Sequence, residues 1–280
     1  MILNHPLAIR HSSGRLQVLK ERATEQSHMG EALILDTIVN SIDAELIATG
    51  PSGKGPNRGA ITRHGRYVLW GFEGSVSEMT DSGRALFINA LYYTATCARA
   101  PVLEKRKREY YGSRDAIYEG LRFIKTKCPE YLETLKNYLP AELAHKTLPE
   151  VEEWYEENRP YLRVNGWQFE VDAFAKHLGV ANHRLVYLHK CIRNLEDGKL
   201  VDKSSEALRR YTGLNYGSPR QWRAWYTENR DYLYFCDCEG SRFKIDEEAR
   251  SKRIPTAILR KWSSENLDYR YRPESGDKGK

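Results

Sequence analysis

Two near-identical nonapeptides constrain this fold more than any other feature. Trp154-Tyr155-Glu156-Glu157-Asn158-Arg159-Pro160-Tyr161-Leu162 and Trp225-Tyr226-Thr227-Glu228-Asn229-Arg230-Asp231-Tyr232-Leu233 agree at seven of nine positions, at an offset of 225 − 154 = 71 residues. Agreement of this kind reads as an internal repeat. The same offset aligns Leu143 with Leu214, Thr147 with Ser218 and Glu150 with Gln221. Thr147-x-x-Glu150 and Ser218-x-x-Gln221 are both capping boxes, in which a hydroxyl and a later side chain satisfy the orphan donors that open a helix. Pro219 suits the first helical position of the second copy, and Pro160 is expected to push Arg159 out of the helical region and end the first helix there. The copies then continue as Phe169-Glu170-Val171-Asp172 and Phe243-Lys244-Ile245-Asp246, now offset by 74, which implies a three-residue insertion in the second. Asp172 and Asp246 read as N-caps of further helices, with Ala175/Ala249, Val180/Ile254 and Leu185/Leu259 in register.

The fold class expected from the chain is therefore an α/β N-terminal part followed by a mostly helical region containing a duplicated unit. The organisation expected is an α/β part over 1–100, a helical connector over 101–140, and repeat units over 141–210 and 211–280, the last ending in a disordered tail. In the connector, 114–127 reads as an amphipathic helix through Ile117, Leu121, Phe123 and Ile124. A further helix through Tyr131, Leu132, Leu135 and Tyr138 stops at Pro140.

At the N-terminal end, Leu7–Arg10 and Arg15–Leu19 suggest a hairpin across Ser12-Ser13-Gly14, Glu31–Ser41 a short helix and Ala44–Thr49 a strand. The Gly- and Pro-rich stretch over 50–57 is a loop; its Gly53-Lys54-Gly55 does not meet the GxxxxGK[ST] spacing of a phosphate-cradling loop. Ala60–Arg63 and Arg66–Phe72 then read as strands of a hairpin turning at His64-Gly65. Val68, Trp70 and Phe72 alternate with Tyr67, Leu69 and Gly71, and the apolar character of both faces predicts a strand covered on both sides. Thr80 and Asp81 open a helix whose Leu86, Ala90, Tyr93 and Cys97 share one face.

The order of AELIAT, a Gly-rich loop, GAITRHG, RYVLWGFEG and a helix through GRALFINALYYTA resembles the C-terminal end of glutamine-amidotransferase-like domains, including the ThuA-like group. The resemblance covers about residues 31–97 and implies a flavodoxin-like sheet. It also implies a cysteine nucleophile on a strand-to-helix elbow with a His–Glu pair. His64 and Glu73 fall near the expected strand ends, but no cysteine here has the flanking glycines of such an elbow, and Cys97 lies late in a helix. An enzyme of this type would need its nucleophile from elsewhere.

The chain has 280 residues, with Lys+Arg 44 against Asp+Glu 38 and a formal charge of +6. So small an excess fits a mixed surface, and the basic run Lys105-Arg106-Lys107-Arg108 reads as a solvated linker. Five scattered cysteines argue against a disulfide scaffold. Cys236-x-Cys238 lacks the spacing of a zinc knuckle, even with His183, His189 or Cys191 nearby in sequence, so no metal or other cofactor is expected. No apolar run is long enough to span a membrane. The start MILNHPLAIRH lacks a secretory n- and h-region, which places the chain in the cytoplasm as given, or outside the cell if its true start lies upstream.

Three functions follow. The first is a non-catalytic binding or assembly module, in which Asn158, Arg159, Asn229 and Arg230 contact a protein or a small anionic ligand, because a guanidinium bonds carboxylate or phosphate bidentately. The second is a nucleic-acid-binding protein using a helix-turn-helix-like segment over 172–192. Gly179 would sit at its turn and Asn182, His183 and Arg184 on its reading helix, joined by Arg260 and Lys261 from the second copy. The third is a remnant or fragment of an amidotransferase-like hydrolase.

Overall fold

The computed structural model describes residues 17–20, 33–34, 41–49, 58–104, 114–126, 128–166 and 168–260. They divide into two compact units between Leu103 and Glu104. Helices are mixed with small antiparallel sheets. Among the described residues no helix is long and apolar enough to cross a membrane.

The first unit is a small sheet with one long helix: β1 (Leu33–Ile34), β2 (Ala44–Thr49), β3 (Arg58–His64), β4 (Tyr67–Trp70) and α1 (Asp81–Thr96). β3 is its centre. It pairs antiparallel with β2 from Ala44↔His64 to Thr49↔Gly59, with β4 from Ile61↔Trp70 to His64↔Tyr67, and with β1 at Leu33↔Gly59. All these pairings are antiparallel, which corrects the flavodoxin-like expectation of a parallel sheet. The reason is local: β3 returns as β4 through a two-residue turn, whereas a parallel neighbour needs a crossover of about a dozen residues or more.

Because His64 pairs with Tyr67, the turn is Gly65-Arg66 and not His64-Gly65. Only Gly65 takes positive φ (+54°), the pattern of a turn with glycine at its first loop position. The strand buried throughout is β3, from Gly59 to Arg63, whereas β4 is part-exposed and its Tyr67 is open to solvent. The expected helix over Glu31–Ser41 is likewise corrected, since Leu33–Ile34 is the strand β1; 35–40 lie outside the described residues. So do most of the N-terminal hairpin, the 50–57 loop, the basic run 105–108 and the whole C-terminal tail.

α1 begins where expected. Thr80 Oγ1 accepts from the Gly83 amide at 2.9 Å. The segment 17–20 runs alongside, with Thr80 N donating to Val18 O at 3.0 Å. A Cβ on Gly83 would stand 2.1 Å from that same Val18 oxygen, so this approach requires glycine.

The second unit is mainly helical. α2 (Asp115–Thr126), α3 (Tyr131–Lys136) and α4 (Leu148–Asn158) lead through a 3₁₀ turn (Arg159–Tyr161) to the hairpin β5 (Leu162–Asn165) and β6 (Gln168–Val171), then α5 (Ala173–Leu178). α6 (Leu185–Glu196), α7 (Val201–Thr212) and α8 (Pro219–Asn229) follow, again with a 3₁₀ turn (Arg230–Tyr232), a hairpin β7 (Leu233–Cys236) and β8 (Arg242–Ile245), then α9 (Glu247–Lys252) and α10 (Thr256–Leu259).

Two apolar clusters fill this unit. One joins Ile117, Leu121 and Ile124 of α2 with Leu135, Val151, Tyr155, Leu162, Val164 and Phe169. The stretch expected as a connector is thus part of a core. The other joins Leu188, Ile192 and Leu195 of α6 with Leu208, Tyr211, Trp222, Trp225, Leu233 and Phe243. Both capping boxes form: Thr147 N donates to Glu150 Oε2 at 2.7 Å and Ser218 N to Gln221 Oε1 at 3.1 Å. Arg159 does not leave the helical region. Its φ of −45° and ψ of −43° almost match the −52° and −35° of Arg230, which has no proline after it. In both places the chain tightens into a 3₁₀ turn, with or without Pro160.

Candidate functional site

The polar residues of the shared nonapeptide do two kinds of work. Asn158 and Asn229 are buried. Asn158 Nδ2 donates to Trp154 O at 2.8 Å and Asn229 Nδ2 to Trp225 O at 2.8 Å, each satisfying a carbonyl of its own last helical turn. Their Oδ1 atoms accept from the next helix, Asn158 from Lys176 Nζ at 2.9 Å and Asn229 from Arg250 at 3.2 Å. Both amides are therefore engaged by the fold. The arginines that follow reach the surface. Arg159 is half-buried with its guanidinium carbon 5.9 Å from the Tyr155 ring centroid, and Arg230 is 60% exposed with Asp231 at 3.6 Å.

The residues proposed to read a duplex are placed differently from one another. Asn182 is fully buried: its Nδ2 donates to Leu162 O and to Tyr211 Oη, both at 3.0 Å, and its Oδ1 accepts from Arg114 at 3.3 Å. His183 lies mostly inside, its ring bonded to the Pro160 carbonyl and its Nδ1 accepting from Arg114. Arg184 is exposed and starts α6, so that helix begins at Leu185 and not at Asn182. Arg260 is buried on Asp246, Nε to Oδ2 at 2.9 Å, and also reaches Glu248 at 2.6 Å. Lys261 lies outside the described residues.

Around Asn182 the structure assembles a buried polar latch that no sequence motif announces. Arg114 and Asp237, with side chains 6% and 8% exposed, pair through Nη2–Oδ1 at 2.9 Å and Nε–Oδ1 at 3.2 Å. The guanidinium carbon of Arg114 also sits 4.9 Å from the Phe235 ring centroid. Asp172 caps α5 by accepting from Phe174 N and Ala175 N, while its other oxygen accepts from Tyr187 Oη at 3.3 Å and Tyr211 Oη at 2.5 Å. Burial first, and the Asp172 charge second, raise both tyrosine pKa values, so they remain donors.

His183 is the electrostatic extreme of this region. Burial and then the charges of Arg114 and Arg184, with Arg159 also contributing, lower its pKa to about 3. The ring is therefore a neutral acceptor for Arg114 at physiological pH. Sequence reasoning had put Arg159 in one candidate site and His183 and Arg184 in another. The structure brings the three together, because Asn182 N donates to Pro160 O at 3.2 Å and docks the 179–184 loop on the Arg159–Tyr161 turn.

In the first unit, buried Asp43 accepts from Ser41 Oγ at 2.8 Å and faces His64 Nε2 at 3.3 Å. Its pKa is lowered: burial opposes ionisation, but the bond and charge of His64 outweigh it. Arg63 bonds Glu45 at 3.1 Å, and Tyr93 donates to the same carboxylate. Cys97 is buried at the end of α1. All five cysteines are free thiols, and burial drives that of Cys191 up to about 12 and raises that of Cys236 as well. Among the described residues no group of three or more His, Cys, Asp or Glu side chains is arranged to hold a metal ion.

Comparison with protein-family models, curated proteins and solved structures finds no match for this chain.

Proposed function

We propose that residues 114–260 form a duplicated, non-catalytic binding module whose two outward arginines, Arg159 and Arg230, contact an acidic partner. Duplication is supported by bonds that recur at the repeat offset. Asn158 and Asn229 make the same back-bond, Lys176 and Arg250 the same tether, and Asp172 N→Tyr161 O and Asp246 N→Tyr232 O are both 2.8 Å. The repeat also extends further back than the nonapeptide. Ile117, Leu121 and Ile124 stand 71 residues before Leu188, Ile192 and Leu195, and all six are core.

The observation that carries the binding reading is the division of labour within Asn-Arg. In each copy the asparagine is consumed internally while the arginine after it reaches the surface, where a guanidinium is the side chain that recognises carboxylate or phosphate bidentately. An acidic probe tests this. A fluorescent polyglutamate peptide is expected to bind at low salt and to lose affinity for the Arg159→Ala/Arg230→Ala variant, whose melting temperature stays unchanged. Unaltered peptide binding by a folded double variant refutes the reading. The nucleic-acid alternative predicts duplex affinity that falls steeply with salt, and two of its reading groups, Asn182 and Arg260, are buried in polar bonds.

A further inference from the structure

The helix α1 of the first unit is apolar on both of its sides, although only one of them meets the sheet. On the inner side Ala85 and Asn89 are buried, the rings of Phe87 and Trp70 of β4 lie 5.0 Å apart edge to face, and Tyr93 donates to Glu45 of β2. Steps of three and four residues put positions 88, 91, 92 and 95 on the opposite stripe. There Leu91 and Tyr92 are each 55% exposed, Ala95 is exposed and Ile88 is half-buried.

Between Arg84 and Arg99 the chain runs for fourteen residues without a charged side chain, where its charged fraction of 29% would place about four (0.29 × 14). The threonines of this stretch add little polarity, because Thr94 Oγ1 donates to Ala90 O at 2.8 Å and Thr96 Oγ1 to Tyr93 O at 2.7 Å, each turning its hydroxyl back onto the helix. A helix that packs by one face carries charge on the other, whereas a helix apolar all round has a second face to bury.

Charge returns only at the two ends of the stripe. Asp81, its side chain 95% exposed, opens α1 in an ion pair with Arg84, and exposed Arg99 stands just past the far end. Positions 81, 84 and 99 continue the same line of three- and four-residue steps. A parallel copy of the helix would set Asp81 against Asp81 and Arg99 against Arg99. An antiparallel copy instead brings each Asp81 toward the other's Arg99, with Leu91 over Tyr92 and Ile88 over Ala95, and a two-fold axis makes each of these contacts twice.

We propose that the outer face of α1 is a homodimer interface, in which Ile88, Leu91, Tyr92 and Ala95 pack antiparallel on the same residues of a second copy of this chain. The occupant is a second copy because an apolar stripe with an acid at one end and a base at the other is complementary to itself. A stripe one helix wide falls short of the roughly 800 Å² per partner of a standard interface, so the dimer forms reversibly. The site lies in the first unit and does not depend on Arg159 or Arg230.

Sedimentation velocity of the full chain from about 1 to 200 µM, the range of a weak complex, tests this. A concentration-dependent passage from monomer to dimer mass is expected. Leu91→Gln, at a position exposed enough for the fold to tolerate it, should weaken dimerisation about tenfold, since the two-fold axis removes the leucine twice. Asp81→Lys and Arg99→Glu should each weaken it severalfold, and the double reversal Asp81→Lys/Arg99→Glu should recover it, with far-UV circular dichroism confirming that each variant is folded. A monomer at every concentration, which would leave this face to a different partner or to none, overturns the proposal. So does a dimer indifferent to Leu91→Gln, or one that the double reversal leaves as weak as the single reversals.

Discussion

Replacing Asp237 by Ala is the sharpest perturbation of the latch. Three contacts vanish, Nη2–Oδ1 at 2.9 Å, Nε–Oδ1 at 3.2 Å and Nε–Oδ2 at 3.3 Å, and the Arg114 charge is left in a site where its side chain is 6% exposed. Breaking a buried pair by removing one partner costs about 3–5 kcal/mol, chiefly because the remaining charge is uncompensated. At about 1.4 kcal/mol per decade, that raises the unfolding equilibrium constant by roughly two to four decades. Removing the charge as well, in Arg114→Met/Asp237→Ala, should restore most of the loss. About 1–3 kcal/mol should remain, because Asn182 Oδ1 and His183 Nδ1 lose their donor. Urea unfolding followed by tryptophan fluorescence reports this unit through buried Trp222 and Trp225. A single-variant cost below about 1 kcal/mol, the scale of an exposed pair, would show that solvent reaches the latch. A double variant no more stable than the single would show that the uncompensated charge is not the cause.

Three further outcomes are expected. Arg253 ends α9 at φ +55° where Gly179 ends α5 at φ +64°, so Arg253→Gly should stabilise by about 1 kcal/mol in thermal or urea unfolding and Gly179→Ala should destabilise by a similar amount. Asn158→Ala and Asn229→Ala should each cost about 1–3 kcal/mol in urea unfolding while leaving polyglutamate affinity intact, separating the amides from the arginines beside them. His183 has a folded-state pKa of about 3, below the unfolded value of about 6.5. Between those values the unfolded chain binds the proton and the folded one does not, so stability is complete above about pH 6.5 and falls on acidification. A loss on the order of 1 kcal/mol per pH unit is expected between pH 6 and 5, measured as the shift of the urea midpoint, and it should disappear in His183→Gln.

The elements legible in the sequence were those written in local chemistry. Thr80 before α1, the two capping boxes, the N-caps Asp172 and Asp246 and the nonapeptide all act within a few residues of themselves, and each forms. The hairpin of the first unit was legible in its strand-turn-strand pattern, whereas the flavodoxin-like resemblance implied the wrong strand direction. The two-residue return at Gly65-Arg66 decides that, and its position shifted by one residue because only Gly65 takes positive φ. The latch left no trace because its members are far apart in the chain: Arg114 and Asp237 are 123 residues apart, and nothing around either, the Cys236-x-Cys238 stretch included, points to the other. The αL cap at Arg253 was hidden for the opposite reason: a non-glycine residue does not announce the left-handed turn that the backbone makes there.

At the 74-residue offset, α5 and α9 differ in what their matching positions do. Phe174 and Leu178 of α5 pack on the cluster built from α6, α7 and α8. Their counterparts at the 74-residue offset are Glu248 and Lys252 of α9. These two pair with each other at 2.5 Å, and Glu248 also takes Arg260 at 2.6 Å. The same two positions are thus apolar packing residues in α5 and an ion pair in α9. Asp246 shows the same substitution inside: where Asp172 takes two tyrosine hydroxyls from α6 and α7, Asp246 takes the Arg260 guanidinium. A carboxylate that caps α5 and α9 alike is thus satisfied by two tyrosine hydroxyls in one case and by a single cation in the other.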